Sequence, residues 1–148
     1  MTAHEHSAFP IVKTILDGTG RALLRKCFLS FAQYFTVPHV IETFEGSRTV
    51  ASFAEFRGLF DGLVTQYERR GVTDLVRNCL EVKFRDENTI LCAHEVRIMS
   101  GSQLLWRPYP VFSEVKRIGQ HWKVVRTSYA IEGNPALADV LSGKAEQD

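Results

Sequence analysis

Residues 75–99 read LVRNCLEVKFRDENTILCAHEVRIM. Two runs of alternating apolar and polar residues are joined by Asp86-Glu87-Asn88. A connection this short forces the two runs to lie side by side and antiparallel. Within the second run, Ile90, Cys92, His94, Val96 and Ile98 share one face. A strict two-residue turn at Glu87-Asn88 would set Glu81 opposite His94 and mismatch the apolar faces. An odd, three-residue loop instead puts Leu80, Val82 and Phe84 with the His94 set, and the buried face dictates register. Glu81, Lys83, Glu95 and Arg97 then share the other face.

The same pattern continues downstream. Strands are expected over Leu75 to Arg85, Thr89 to Met99, Trp106 to Ile118 and His121 to Ile131, with turns at Ser100-Gly101-Ser102 and Gly119-Gln120. Pro108 and Pro110 open the third of these, so that end should be an edge or a bulge. In the last strand Trp122, Val124, Arg126, Ser128 and Ala130 alternate onto one side, and Lys123, Val125, Thr127, Tyr129 and Ile131 onto the other. Neither side is wholly polar. Helices over one face and a partner subunit over the other would account for that.

Upstream of the strands the period changes to that of helices. Ala8 to Arg25 places Val12, Ile15, Leu16, Ala22 and Leu23 near a 3.6-residue repeat. Gly18 and Gly20 each weaken a helix by about 1 kcal/mol, so a kink is expected at Asp17 to Gly20. Cys27 to Phe35 follows, with Phe28, Phe31, Ala32 and Phe35 on one face, and Pro38 stops it. His39 to Phe44 and Arg48 to Val50 read as a hairpin around Glu45-Gly46-Ser47. Phe53 to Arg70 is the clearest helix, with a Ser52–Glu55 capping box and Gly71 as its left-handed cap. Beyond Gly133-Asn134-Pro135, one turn of helix is expected over Ala136 to Leu141.

At 148 residues the chain has the length of one domain. Its 45% apolar content argues against disorder, and its net charge of +1 excludes a basic nucleic-acid footprint. No stretch approaches the ~20 apolar residues of a membrane span, and no export signal is visible. Cys27, Cys79 and Cys92 are too scattered for a disulfide framework or a zinc motif, which points to buried free thiols and a cytoplasmic location. His4-Glu5-His6 reads as part of a mobile terminus rather than a metal site. The division expected is a flexible segment 1–7, a domain 8–132 and a tail 133–148.

Helices followed by a long meander make an α+β chain: helices packed on a strongly curved, mostly antiparallel sheet. This order resembles the NTF2-like superfamily, also called SnoaL-like or cystatin-like, with its cone-shaped α+β barrel. The resemblance spans about Ala8 to Ile131. It rests on Phe28-Leu29-Ser30-Phe31-Ala32-Gln33-Tyr34-Phe35 before Pro38, the hairpin ending at Thr49, the helix ending at Gly71, and Gly119-Gln120-His121-Trp122-Lys123-Val124. These are architectural matches, not a catalytic signature. The resemblance implies a helix-lidded pocket over the sheet and, very often, a homodimer through the sheet's outer face.

In such a cone the inward strand residues carry any chemistry. His94 is the first candidate, as acid, base or hydrogen-bond donor, against the reading of a satisfied core histidine. Arg126, with Ser128 beside it, is the second, against the reading of an ion pair with Glu42, Glu95 or Glu114. Tyr34 and His39 flank Pro38 where helix meets strand. Tyr109, with Trp106 and Trp122, either frames an aromatic pocket or packs a core or interface. His94, Arg126 and Ser128 are expected to share one cavity, with His39 and Tyr109 as further ligand contacts. The resemblance also brings in the superfamily's isomerases, which use an aspartate base. No Asp lies in the inward sets, so that mechanism does not carry over. Two principal readings remain: a pocket protein for a small apolar ligand, with no cofactor and no metal, or an acid–base enzyme acting on a small carbonyl compound through His94 and Tyr34 or Arg126. A protein-interaction module is the third.

Overall fold

A computed structural model describes the backbone of residues 3–143 and the side chains from residue 7 to residue 143. The clearest sequence element sets the frame. Helix α3 (Phe53–Arg70) is capped by Ser52, whose hydroxyl accepts from the Glu55 N–H at 3.2 Å. The Glu55 carboxylate reaches back to accept from the Ala51 N–H at 2.9 Å. Gly71 ends the helix at φ 67°, a conformation in which a side chain is strained. Phe56, Leu59, Phe60, Leu63 and Tyr67 are its buried stripe. They meet α2 (Phe28–Ala32) in an aromatic cluster, with Phe28–Phe60 at 5.5 Å and Phe31–Phe60 at 5.1 Å between ring centres.

Helix α2 is shorter than its periodicity predicts. Phe35 has left the helix and begins strand β1 (Phe35–Thr43), which passes through Pro38 with a shifted register between Phe35 and Val40. Phe35 stays in the aromatic cluster, 5.3 Å from Phe56. Packing, not helical phase, explains its position in the pattern. β2 (Gly46–Val50) returns beside β1 as the expected hairpin.

The meander consists of β3 (Asp74–Asp86), β4 (Thr89–Ser100), the two-residue β5 (Gln103–Leu104), β6 (Tyr109–Ile118) and β7 (His121–Tyr129). The sheet order is β2-β1-β7-β6-β4-β3, with β5 beside β4. All pairings are antiparallel except β1 with β7. Pro110 sits second in β6, in the interior of the sheet rather than at an edge, close to the strand end where a missing N–H is tolerated.

The odd register expected between β3 and β4 is present: Val82 faces Cys92 and Phe84 faces Ile90. It arises from a register shift between Phe84 and Asp86 beside the Glu87-Asn88 turn, not from a three-residue loop. Two further bulges interrupt the alternation. Cys79 pairs with His94 and Glu81 with Ala93, so Leu80 is the extra residue and stands 60% exposed. Val115 pairs with Val124 and Glu114 with Arg126, so Val125 is the extra residue of β7. Each bulge moves the following residues to the opposite face.

Helix α1 (Ala3–Leu24) packs against β3 and runs without a break through Asp17 to Gly20. It begins ahead of Ala8; the side chains of His4, Glu5 and His6 lie outside the described residues. Its glycines serve close approach. A Cβ on Gly18 would collide with the Tyr34 ring, whereas one on Gly20 would meet Arg77 Nη1 at 3.4 Å. After Gly133, the tail forms more than the single turn expected. Helix α4 (Pro135–Ser142) is capped by Asn134, and its Leu137, Val140 and Leu141 are buried in the main core. Cys27 is exposed, contrary to the expectation of three buried thiols; Cys79 is partly buried and Cys92 buried.

The two glycines of α1 should therefore respond oppositely to alanine. Gly18→Ala should lose about 1–3 kcal/mol of stability by overpacking against Tyr34. Gly20→Ala should gain up to about 1 kcal/mol from helix propensity. Urea unfolding of both variants checks this, and a stabilised Gly18→Ala would contradict the packing account.

Candidate functional site

The bulges decide which side chains enter the cone. Upstream of Leu80 the inward residues of β3 are Leu75, Arg77 and Cys79; downstream they are Val82 and Phe84. In β7 the inward residues are Val124, Thr127 and Tyr129. The apolar interior falls into two clusters. One joins α2, α3 and α4 to Val96, Ile98, Tyr109 and Val111. The other joins Ala8, Val12, Ile15 and Leu16 of α1 to Val82, Ile90, Cys92, Val115 and Val124. Thr19, Arg77, His94 and Thr127 stand between them and line a cavity of about 70 Å³.

His94 is 5% exposed, and its Nδ1 has no hydrogen-bond partner. Burial, and then the charge of Arg77, pulls its pKa down to about 3, so the ring is neutral at ordinary pH. Arg77 Nη1 donates to Thr19 Oγ1 at 2.8 Å and to the Leu16 carbonyl at 3.3 Å. Burial lowers its pKa too, but an arginine remains charged in a protein. No carboxylate of the described residues pairs with it. Asp17, which feels its charge, is exposed and bridged to Lys13 at 2.8 Å. Tyr67, Tyr109 and Tyr129 also line the cavity, and burial raises the pKa of each hydroxyl, keeping it protonated.

Among the described residues, no Asp or Glu lines this cavity. A histidine with so low a pKa is a poor base for proton abstraction near neutral pH. The arrangement is suited to recognition: a fixed cation, hydroxyl donors and a neutral imidazole within mostly apolar walls. Among the described residues, no group of three or more His, Cys, Asp or Glu is placed to hold a metal ion.

Of the sequence candidates, His94 and Tyr109 line the cavity. Arg126 and Ser128 do not share it. The Val125 bulge turns them to the outer face of the sheet, where they border a second, more open hollow of about 270 Å³ with Phe112 and Glu114. Arg126 there meets Glu42 at 3.2 Å, the ion-pair reading with the partner resolved. Glu114 instead meets Arg85 at 3.3 Å, and Glu95 meets Arg97 at 3.0 Å. His39 is 1% exposed and fully used: Nδ1 lies 3.2 Å from the Val124 carbonyl and Nε2 lies 3.2 Å from Thr127 Oγ1. It ties β1 to β7 and is structural. Tyr34 packs over Gly18, outside the cavity wall. Trp122 packs on Phe84 at 5.9 Å, and Trp106 lies under the Arg70 guanidinium at 4.9 Å, so neither frames the cavity. Arg77, Tyr67 and Tyr129 were not legible as site residues. The trace of their placement is a pair of adjacent apolar residues in mid-strand, Cys79-Leu80 and Val124-Val125, which breaks alternation where each bulge falls.

No protein-family model matches the chain, and no curated protein matches it. Solved structures do. An NTF2-like protein of unknown function from Shewanella oneidensis aligns over 83% of this chain and 98% of its own, with TM-score 0.62 and 11% identity. The fold is NTF2-like. A domain of unknown function with a cystatin-like fold from Nostoc punctiforme aligns over 99% of this chain and 93% of its own, with TM-score 0.65 and 16% identity. A candidate aromatic ring hydroxylase from Novosphingobium aromaticivorans aligns over 82% and 86%, with TM-score 0.58 and 15% identity. At such identities the NTF2-like likeness carries architecture alone. The cone, its helical cover and its curved mixed sheet are common ground.

The two buried histidines predict acid sensitivity. Burial lowers His39 to about 4 and His94 to about 3, from the ordinary 6.5. Below pH 6.5 the unfolded chain takes up protons that the folded chain refuses, so stability falls as pH falls. The slope from each ring ends near its folded pKa. Each contributes about 1.4 kcal/mol per pH unit, or a few kcal/mol in total by pH 4. Urea midpoints measured from pH 7 to pH 4 should fall in the native protein and fall roughly half as steeply in His94→Gln; a slope unchanged by that variant would contradict the assignment.

Proposed function

We propose that this chain is a small-ligand-binding protein whose site is the interior of the cone. The observation that carries the reading is a largely apolar cavity with a buried, unpartnered His94 Nδ1 in its wall. A polar atom buried without a partner costs about 1–3 kcal/mol, which a bound molecule can offset. The missing carboxylate weighs against an isomerase-like proton transfer. NMR mapping with small apolar probes such as xenon, propane and acetone tests the site. Shifts should concentrate at Leu16, Val111 and Thr127. Shifts confined to the outer face around Phe112, or none at all, would overturn the reading.

The outer face supports self-association. Phe112 is 51% exposed among Leu91, Lys83, Glu81 and Arg126. A patch with both charge signs around an aromatic ring can complement a second copy of itself across a two-fold axis. Light scattering after size exclusion should give a dimer for the native chain and a monomer for Phe112→Glu. A native monomer at micromolar concentration would refute this arrangement.

A further inference from the structure

Among the described residues, the cavity wall holds one full cation and no anion. Arg77 has five N–H donors, of which two are used, both on Nη1 and both toward α1. The Nε and Nη2 donors have no protein acceptor among the described residues. Together they form the side of a guanidinium that takes a carboxylate through two parallel hydrogen bonds. Three other polar groups of the same wall lack partners among the described residues: the hydroxyls of Tyr67 and Tyr109, and His94 Nδ1. Tyr67 is 9% exposed and Tyr109 is 7% exposed. Both hydroxyls feel the Arg77 charge. Arg77 is part-buried, and a cation drawn partly out of water without a counter-charge is less stable than a paired one.

We propose that the cavity binds a small organic monocarboxylate, held by the free side of the Arg77 guanidinium and by the Tyr67 and Tyr109 hydroxyls. This rests on the reading of the cone interior as the ligand site and names its ligand class. The apolar body of the acid lies against Ile15, Leu16 and Val111, and the volume of about 70 Å³ confines it to a chain of about two or three carbons. A single guanidinium matches one negative charge. The mostly apolar walls favour an organic acid over inorganic phosphate, which has no apolar surface to bury.

Calorimetric titration of the native full chain at pH 7.5 tests this with matched probes: acetate against acetamide, propionate against propionamide, and inorganic phosphate. The acids should bind at least tenfold more tightly than their amides, and phosphate should bind at least tenfold more weakly than the acids. Arg77→Met should abolish the preference for acid over amide, and Arg77→Lys should keep part of it, since charge remains while the paired geometry is lost. The comparison in the native protein stands even where a variant fails to fold. Amides that bind as well as acids would overturn the carboxylate assignment, leaving the cavity as a neutral-ligand site and Arg77 as a strut between β3 and α1. Phosphate binding as well as the acids would likewise overturn it. If no probe binds, acid or neutral, the ligand-site reading falls with it.

Discussion

A sheet that wraps a helix must bend, and bending a long strand requires a break in its ladder. β3 runs for 13 residues and β4 for 12, too long to stay regular and still curve around α1. The extra residues Leu80 and Val125 supply the bend. They also reverse the alternation of side chains, and the rest of the interior follows from that reversal. Arg77 faces α1 instead of solvent. Thr127 and Tyr129 turn inward, while Arg126 and Ser128 turn out. Thr127 then receives the His39 ring that joins β1 to β7. Without the two bulges the polar belt between the two apolar clusters would not form.

The same break explains how far the sequence could be read. The capping box at Ser52, the glycine cap at Gly71 and the apolar stripe of α3 are local signals, and each is where local chemistry places it. The face of β4 is regular from Ile90 to Ile98, so His94 was legible as inward. Arg126 and Ser128 were misplaced because strict period-two counting was carried across Val125. Leu80 was misplaced for the same reason. Phe35 looked helical because an aromatic residue packs on the same cluster from either a helix or the start of a strand. Gly18 and Gly20 suggested a break in α1, but Gly18 provides room for Tyr34, and a side chain at Gly20 would only touch Arg77. Propensity was overridden by a tertiary contact that no local pattern encodes.

The energetics of the belt point beyond scaffolding. His39 and His94 are both buried histidines on inward faces, yet they differ in one respect. His39 has partners on both nitrogens and serves the fold alone. His94 has a bare Nδ1, and its neighbours Tyr67 and Tyr109 have idle hydroxyls around a charge with no counter-ion. A core shaped only for stability would fill that space with apolar side chains, since apolar replacements of buried charges are often neutral or stabilising. The bare His94 Nδ1, the idle hydroxyls and the unpaired charge converge on one cavity, while the other buried unpartnered atom, Asn134 Nδ2, lies outside its wall. Convergence of that kind supports the proposed ligand site. The outer-face ion pairs, Arg126 with Glu42 and Glu114 with Arg85, show the opposite condition: their charges are matched and remain partly in water. Among the described residues, the Arg77 charge in the cavity wall has no such partner.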